Sequence, residues 1–141
     1  MNSAATASPS ETADRHRQVV VLVEDDDGLR AALERVLRAW GFETRSYESA
    51  EAALSDPALD WPDCLVVDLG LPAMSGLDLI DRLRERGVTV PAVLISAQDE
   101  ARVRQEAQRR GVVHILAKPF LGSALVREVD AVLGERRHGS G

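Results

Sequence analysis

Apolar positions along this chain fall into two alternating patterns. Short continuous runs rich in β-branched residues recur at 18–23, 63–68, 90–95 and 112–116. Each is too short for a helix and reads as a strand covered on both faces. A shorter, more polar run at 42–47 reads as an edge strand. Between the runs the apolar residues take helical spacing. Leu29, Leu33, Val36, Leu37 and Trp40 mark a first helix with Gly41 as its C′ residue. A short helix over 48–54 stops before Asp56-Pro57. Leu77, Ile80 and Leu83 mark a third, closed by Gly87. The fourth, 99–110, has only Ala101, Val103 and Ala107 to bury before Gly111. Leu125, Val129 and Val132 mark a last helix ending at Gly134. Pro91 is tolerable near the start of its strand, where the first residue need not donate.

Strand and helix thus alternate five times, which predicts a parallel sheet with right-handed crossovers and helices on both faces. The expected fold class is α/β, a single doubly wound domain over residues 18–134. Residues 1–17, rich in Ala, Ser and Thr, read as a disordered N-terminal tail with no secretory core segment. Residues 135–141 are polar and read as a C-terminal tail.

A length of 141 residues suits one domain. With 45% hydrophobic but only 4% aromatic residues, the core must be aliphatic, with Trp40 and Trp61 as packing residues. The net charge of -6 argues against nucleic-acid binding by bulk electrostatics. No apolar stretch is long enough to span a membrane. The single cysteine, Cys64, lies within a strand run and reads as a small buried hydrophobe, which fits a reducing cytoplasm.

The chemistry lies at the strand ends. The first strand runs into Glu24 and Asp25, the third ends at Asp68, the fourth at Ser96 and the fifth at Lys118. In a parallel sheet these ends share one edge, so residues dozens of positions apart converge in one pocket. Two unit charges about 4 Å apart repel by roughly 4 kcal/mol at an effective dielectric of 20. Three converging carboxylates therefore need compensation, which Lys118 and a hard divalent cation such as Mg²⁺ would supply. Asp68 is then the candidate nucleophile toward a phosphoryl group, with Ser96 and Lys118 on the phosphoryl oxygens. Asp26 and Asp27 read as capping residues of the first helix.

The motifs Val23-Glu24-Asp25-Asp26, Asp68-Leu69-Gly70-Leu71-Pro72-Ala73-Met74-Ser75-Gly76, Ser96-Ala97 and Lys118-Pro119-Phe120 stand in this order across 18–134. In order and spacing the chain resembles the bacterial two-component response-regulator receiver domain, the CheY-like superfamily. The resemblance implies a flavodoxin-like (βα)5 sheet of order 2-1-3-4-5. It implies that Asp68 is the phosphoacceptor, served by a sensor histidine kinase or a phosphotransfer protein. It implies Asp25 as a direct Mg²⁺ ligand, Glu24 as a second acidic position acting through water, and Gly70 as donor of a backbone carbonyl to the metal. Ser96 matches the hydroxyl that turns toward the phosphoryl group, and Lys118 the family's lysine, with a cis bond to Pro119. Output would pass through the face around 99–133 to a partner protein or a second copy of the chain, in the cytoplasm.

Two positions depart from the family. Three residues before the lysine, where Tyr or Phe is usual, stands Ile115, which would be buried and has neither a ring to swing nor a hydroxyl. His114 should point to the opposite face of the strand, since the period is two. Leu121 replaces the usual cap of the last helix, which should start loosely at Gly122-Ser123. The main alternatives are a phosphatase or phosphotransferase with Asp68 as nucleophile, and an interaction module that keeps only the fold. Haloacid-dehalogenase-like enzymes carry a second Asp two residues after the nucleophile, where this chain has Gly70. The expectation is a switch rather than an enzyme, catalysing only its own phosphotransfer and dephosphorylation. No DNA-binding output domain is expected here. The chain reads as a stand-alone receiver, or as part of a longer transcription regulator or hybrid kinase.

Overall fold

Both faces of each central strand are apolar, and the five runs form one parallel sheet of order β2-β1-β3-β4-β5. The structure is a computed structural model that describes residues 18–57, 59, 62–97, 101–112 and 114–140, the backbone alone over 135–140. The strands are β1 Val19–Val23, β2 Glu43–Tyr47, β3 Cys64–Asp68, β4 Ala92–Ser96 and β5 His114–Ala117. The helices are α1 Asp27–Ala39, α2 Ala50–Ser55, α3 Gly76–Glu85, α4 Ala101–Arg109 and α5 Gly122–Ser140. This is the expected flavodoxin-like order, with β2 at one edge.

Alternate residues of β1, β3 and β4 feed two cores. Val21, Val23, Leu65, Val67 and Leu94 pack against Ala50 and Ala53 of α2, Leu79 and Leu83 of α3 and Ala107 of α4. Val20, Leu22, Cys64, Val66, Val93 and Ile95 pack against Leu33 and Leu37 of α1 and Leu125, Val129 and Val132 of α5. β1, β3 and β4 therefore read as continuous apolar runs, because their two sets of side chains serve different layers. Cys64 is free and buried, as expected. Pro91 stands just before β4, and its carbonyl accepts the Leu65 N–H at 2.9 Å.

Several details differ from the sequence reading. Trp40 is not a core residue, being 60% exposed. It caps the C-terminus of α1, where the chain turns into β2 through Gly41 at a φ of 96° and leaves the ring off the end of the helix. Trp61 lies outside the described residues, as does the tail 1–17. The last helix does not stop at Gly134 but runs to Ser140. A glycine costs a helix only about 1 kcal/mol, and Glu135, Arg136 and Arg137 are good helix formers. The fourth helix spans Ala101–Arg109 and buries Ala107 fully, while Ala101 is exposed and 98–100 lie outside the described residues. Ile115 is half-buried rather than buried, because the weakly apolar α4 covers it incompletely. His114 does face the other way, its Nδ1 lying 3.1 Å from Glu128 of α5. Leu121 offers α5 its carbonyl, 2.9 Å from the Ala124 N–H.

Candidate functional site

The pocket forms where β1 and β3 end side by side, with Val23 paired to Val67. One residue further on, the chain of β1 turns into α1. Asp26 caps that helix by accepting the Leu29 N–H at 2.8 Å, and Asp27 lies in its first turn, so both are capping residues as expected. The turn leaves Glu24 fully buried and Asp25 exposed. Arg30 secures it from within α1, donating to the Glu24 carbonyl at 2.9 Å and pairing with Asp27 at 2.6 Å. Its spacing of three from Asp27 is the only sequence signal for this role.

Asp68 is the last residue of β3 and is buried. Its Oδ1 accepts the Gly70 N–H at 2.8 Å, and its Oδ2 accepts from Lys118 Nζ at 3.0 Å. These bonds fix the carboxylate from two directions. Lys118 also approaches Glu24 Oε1 at 3.9 Å and is joined to Pro119 by a cis peptide bond, as the resemblance implied. Oxygens of Glu24, Asp25 and Asp68 all lie within 4.8 Å of one another. The structure brings together Glu24, Asp25, Asp68 and Lys118, which the sequence placed at one sheet edge, while Gly70, expected to offer its carbonyl to a metal, meets Asp68 through its N–H.

Electrostatics mark the cluster as incomplete. Burial, reinforced by Asp68, pushes the Glu24 carboxyl up to about 7, against the Asp26 N–H bond and Lys118, which lower it. Burial also works against the Lys118 ammonium, but Asp68, Glu24 and Asp25 outweigh it and hold its pKa above the usual lysine value. Among the described residues, Glu24 Oε1 is buried without a hydrogen-bond partner. An orphaned buried carboxylate oxygen beside two further carboxylates fits a hard divalent cation, and the donor set is all oxygen.

Ser96 ends β4, is fully buried, and its carbonyl accepts the Lys118 N–H at 2.8 Å. Its hydroxyl donates to the Ala97 carbonyl at 2.8 Å. Arg104 of α4 donates to Ser96 Oγ at 3.3 Å and to the Ala97 carbonyl at 3.2 Å. These described bonds of the hydroxyl run toward α4, and Arg104 is a partner that sequence reasoning missed. Ile115 and Ala117 of β5 line a groove of about 550 Å³ together with Ala101, Arg104, Gln105 and Gln108 of α4.

The geometry can be set beside known proteins. Residues 20–130 match the family described as the response regulator receiver domain. The C4-dicarboxylate transport transcriptional regulatory protein DctD of Pseudomonas aeruginosa is 32% identical over 92% of this chain and 28% of its own length. The transcriptional regulatory protein PrrA of Mycobacterium tuberculosis is 35% identical over 86% of this chain and 51% of its own. The chain thus spans between about a quarter and just over half of such curated relatives, from 28% of DctD to 57% of the Pseudomonas putida response regulator TodT. Among solved structures, a response regulator receiver protein from Burkholderia phymatum superposes with a TM-score of 0.71 at 36% identity, covering 83% of this chain and 95% of that one. FixJ-N superposes with a TM-score of 0.74 at 27% identity, covering 83% and 94%. Among the described residues no helix is long and apolar enough to cross a membrane. With the five-stranded order, the acidic trio and the lysine in place, this chain belongs to the response-regulator receiver-domain family of two-component systems.

Proposed function

We propose that Asp68 accepts a phosphoryl group from a histidine kinase or phosphotransfer protein, and that the modified domain changes what its α4–β5–α5 face binds. The observation that carries this reading is the cluster itself: a fixed, buried Asp68 with Lys118 at 3.0 Å and two further carboxylates within 4.8 Å. A carboxylate oxygen of Asp68 attacks phosphorus, the bond from phosphorus to the donor histidine nitrogen breaks, and an acyl phosphate forms. The nitrogen keeps the bonding electron pair and, with the other ring nitrogen protonated, the donor side chain leaves as neutral imidazole.

The chain's own groups prepare this step. Gly70 holds the rotamer of Asp68 through its N–H. Lys118 follows the charge as it passes from the carboxylate to the phosphoryl oxygens. Glu24 and Asp25, with Asp68 and the carbonyl of Gly70, would hold Mg²⁺, which when bound neutralises charge between the carboxylates and the incoming phosphoryl oxygens. Ser96 would bind a phosphoryl oxygen once its hydroxyl turns from Ala97. The domain acts on itself and turns over no external small substrate. Its partners are the phosphodonor protein on one side, and an output protein, a linked output domain or a second copy of the chain on the other, all in the cytoplasm.

The test is intact mass after incubation with Mg²⁺ and acetyl phosphate, beside an Asp68→Asn variant and a metal-free sample. One phosphoryl increment on the wild type, lost in both controls, is the expected result. No increment under any donor would overturn the reading in favour of a phosphorylation-independent interaction module.

A further inference from the structure

We infer that Arg104 is the positioning residue that links the state of Ser96 to α4. This deepens the phosphoacceptor reading and rests on it. The Ser96 hydroxyl has one proton, and that proton goes to the Ala97 carbonyl at 2.8 Å. Arg104 Nη1 donates to the same hydroxyl oxygen at 3.3 Å and to the same carbonyl at 3.2 Å. A single guanidinium nitrogen thus closes a ring of three polar atoms at the end of β4. Ser96 is fully buried and Arg104 half-buried.

To donate to an oxygen of phosphorylated Asp68, Ser96 must turn its only proton away from Ala97. The ring then opens, and Arg104 keeps the carbonyl but loses the hydroxyl oxygen. Arg104 belongs to the first turns of α4, where Ala107 is the only fully buried residue. A change at Arg104 therefore acts on an element held by little else. Ile115 lines the same groove, but its side chain has no polar atom with which to take over. Coupling of this kind is reciprocal. What Arg104 contributes to the resting hydroxyl is withdrawn from the phosphorylated arrangement.

The experiment titrates the full chain with beryllium fluoride in the presence of Mg²⁺. It records the dissociation constant and the backbone amide signals of α4 by NMR. In Arg104→Ala, beryllium fluoride should bind about three- to tenfold tighter, the scale of one modest hydrogen bond, while the α4 amide shifts fall below half of their wild-type size. These two acceptors are served by one nitrogen, so Arg104→Lys, with a single ammonium, should restore both readouts; a purely structural loss would not tighten the site while shrinking the α4 response. Wild-type affinity and a wild-type α4 response in Arg104→Ala would overturn the link and leave the phosphoacceptor reading standing. No binding by the wild-type protein would overturn both. Ser96→Ala gives an independent check should Arg104→Ala not fold. It removes the shared oxygen, so beryllium fluoride should still bind, more weakly, while the α4 amides stop responding. A persisting α4 response there overturns the link.

Discussion

Asp68 and Ser96 end neighbouring parallel strands, with Asp68 paired to Ile95, yet their surroundings differ. Asp68 is held by Gly70 and Lys118 and stands on a strand buried along its whole length. The helix behind it, α3, buries Leu77, Leu79, Ile80 and Leu83. The first residue of that helix, Gly76, lies so close to β3 that an added Cβ would come within 2.7 Å of Val67 and 2.8 Å of the Asp68 carbonyl oxygen. Ser96 instead turns toward α4, whose buried set is Ala107 alone, and toward β5, where no residue is fully buried. The difference is one a switch needs. Reacting groups must be prearranged, whereas an element that reports on them must have two arrangements close in energy.

The sharpest way to break this contrast is to cut one apolar side chain from each region. Leu79→Ala removes a fully buried side chain from α3 and should cost roughly 2–5 kcal/mol. Val103→Ala removes a half-buried one from α4 and should cost about 1 kcal/mol. Urea denaturation of the two variants measures both. Equal losses would mean that α4 is held as firmly as α3.

The prearranged half of the molecule is also the half the sequence makes legible. Strands buried on both faces announce themselves as apolar runs, and parallel pairing alone then brings Glu24, Asp25, Asp68 and Lys118 to one edge. Nothing about side-chain orientation is needed. The responsive half depends on details that carry no local pattern. Whether Arg104 reaches Ser96 is set by the phase at which α4 lies on β4 and β5, and a helix with so little to bury does not declare its phase. Arg104 reads as one more charge on a solvated face. Ile115 was legible as a departure, but its partial exposure follows from how little α4 covers it. Trp40 misleads for a related reason: it continues the apolar spacing of α1 just where the helix ends.

Within the prearranged half, the weak point is Glu24, and its proton can be read as stability. The folded protein holds this carboxyl at about 7, against an ordinary value of 4.5. The folded state therefore binds the proton more tightly than the unfolded chain. That contribution is fully present below about pH 4.5 and is lost as pH rises through about 7. Glu24→Gln mimics the protonated form. In metal-free buffer at pH 8 it should be more stable than wild type by about 1–3 kcal/mol, and the advantage should vanish below about pH 4.5. With saturating Mg²⁺ the order should narrow or reverse, because the variant lacks a carboxylate at the cluster. Thermal melts across pH, with EDTA and with Mg²⁺, separate these cases. A variant no more stable than wild type at pH 8 would mean that Lys118 already neutralises the buried charge.

The smallest effect should come from filling the open groove beside α4. Adding carbons to a packed core costs about 1–3 kcal/mol, because neighbours must shift off their rotamers. Ile115 instead borders a groove of about 550 Å³ and is itself only half-buried, so a ring there meets space before it meets side chains. Ile115→Phe should therefore change unfolding free energy by less than about 1 kcal/mol, with burial of the larger ring offsetting the entropy of ordering it. The same substitution should leave Mg²⁺ affinity unaltered, since Ile115 contributes no oxygen to the cluster of Glu24, Asp25 and Asp68. Hydrogen exchange of the α4 amides is the finer readout. A ring that packs against Arg104 and Gln108 should slow their exchange, giving this helix the apolar anchor it lacks. A loss above about 2 kcal/mol would instead show a tightly packed seam between α4 and β5, and the contrast between a fixed pocket and a loosely held neighbour would then fail at its second half.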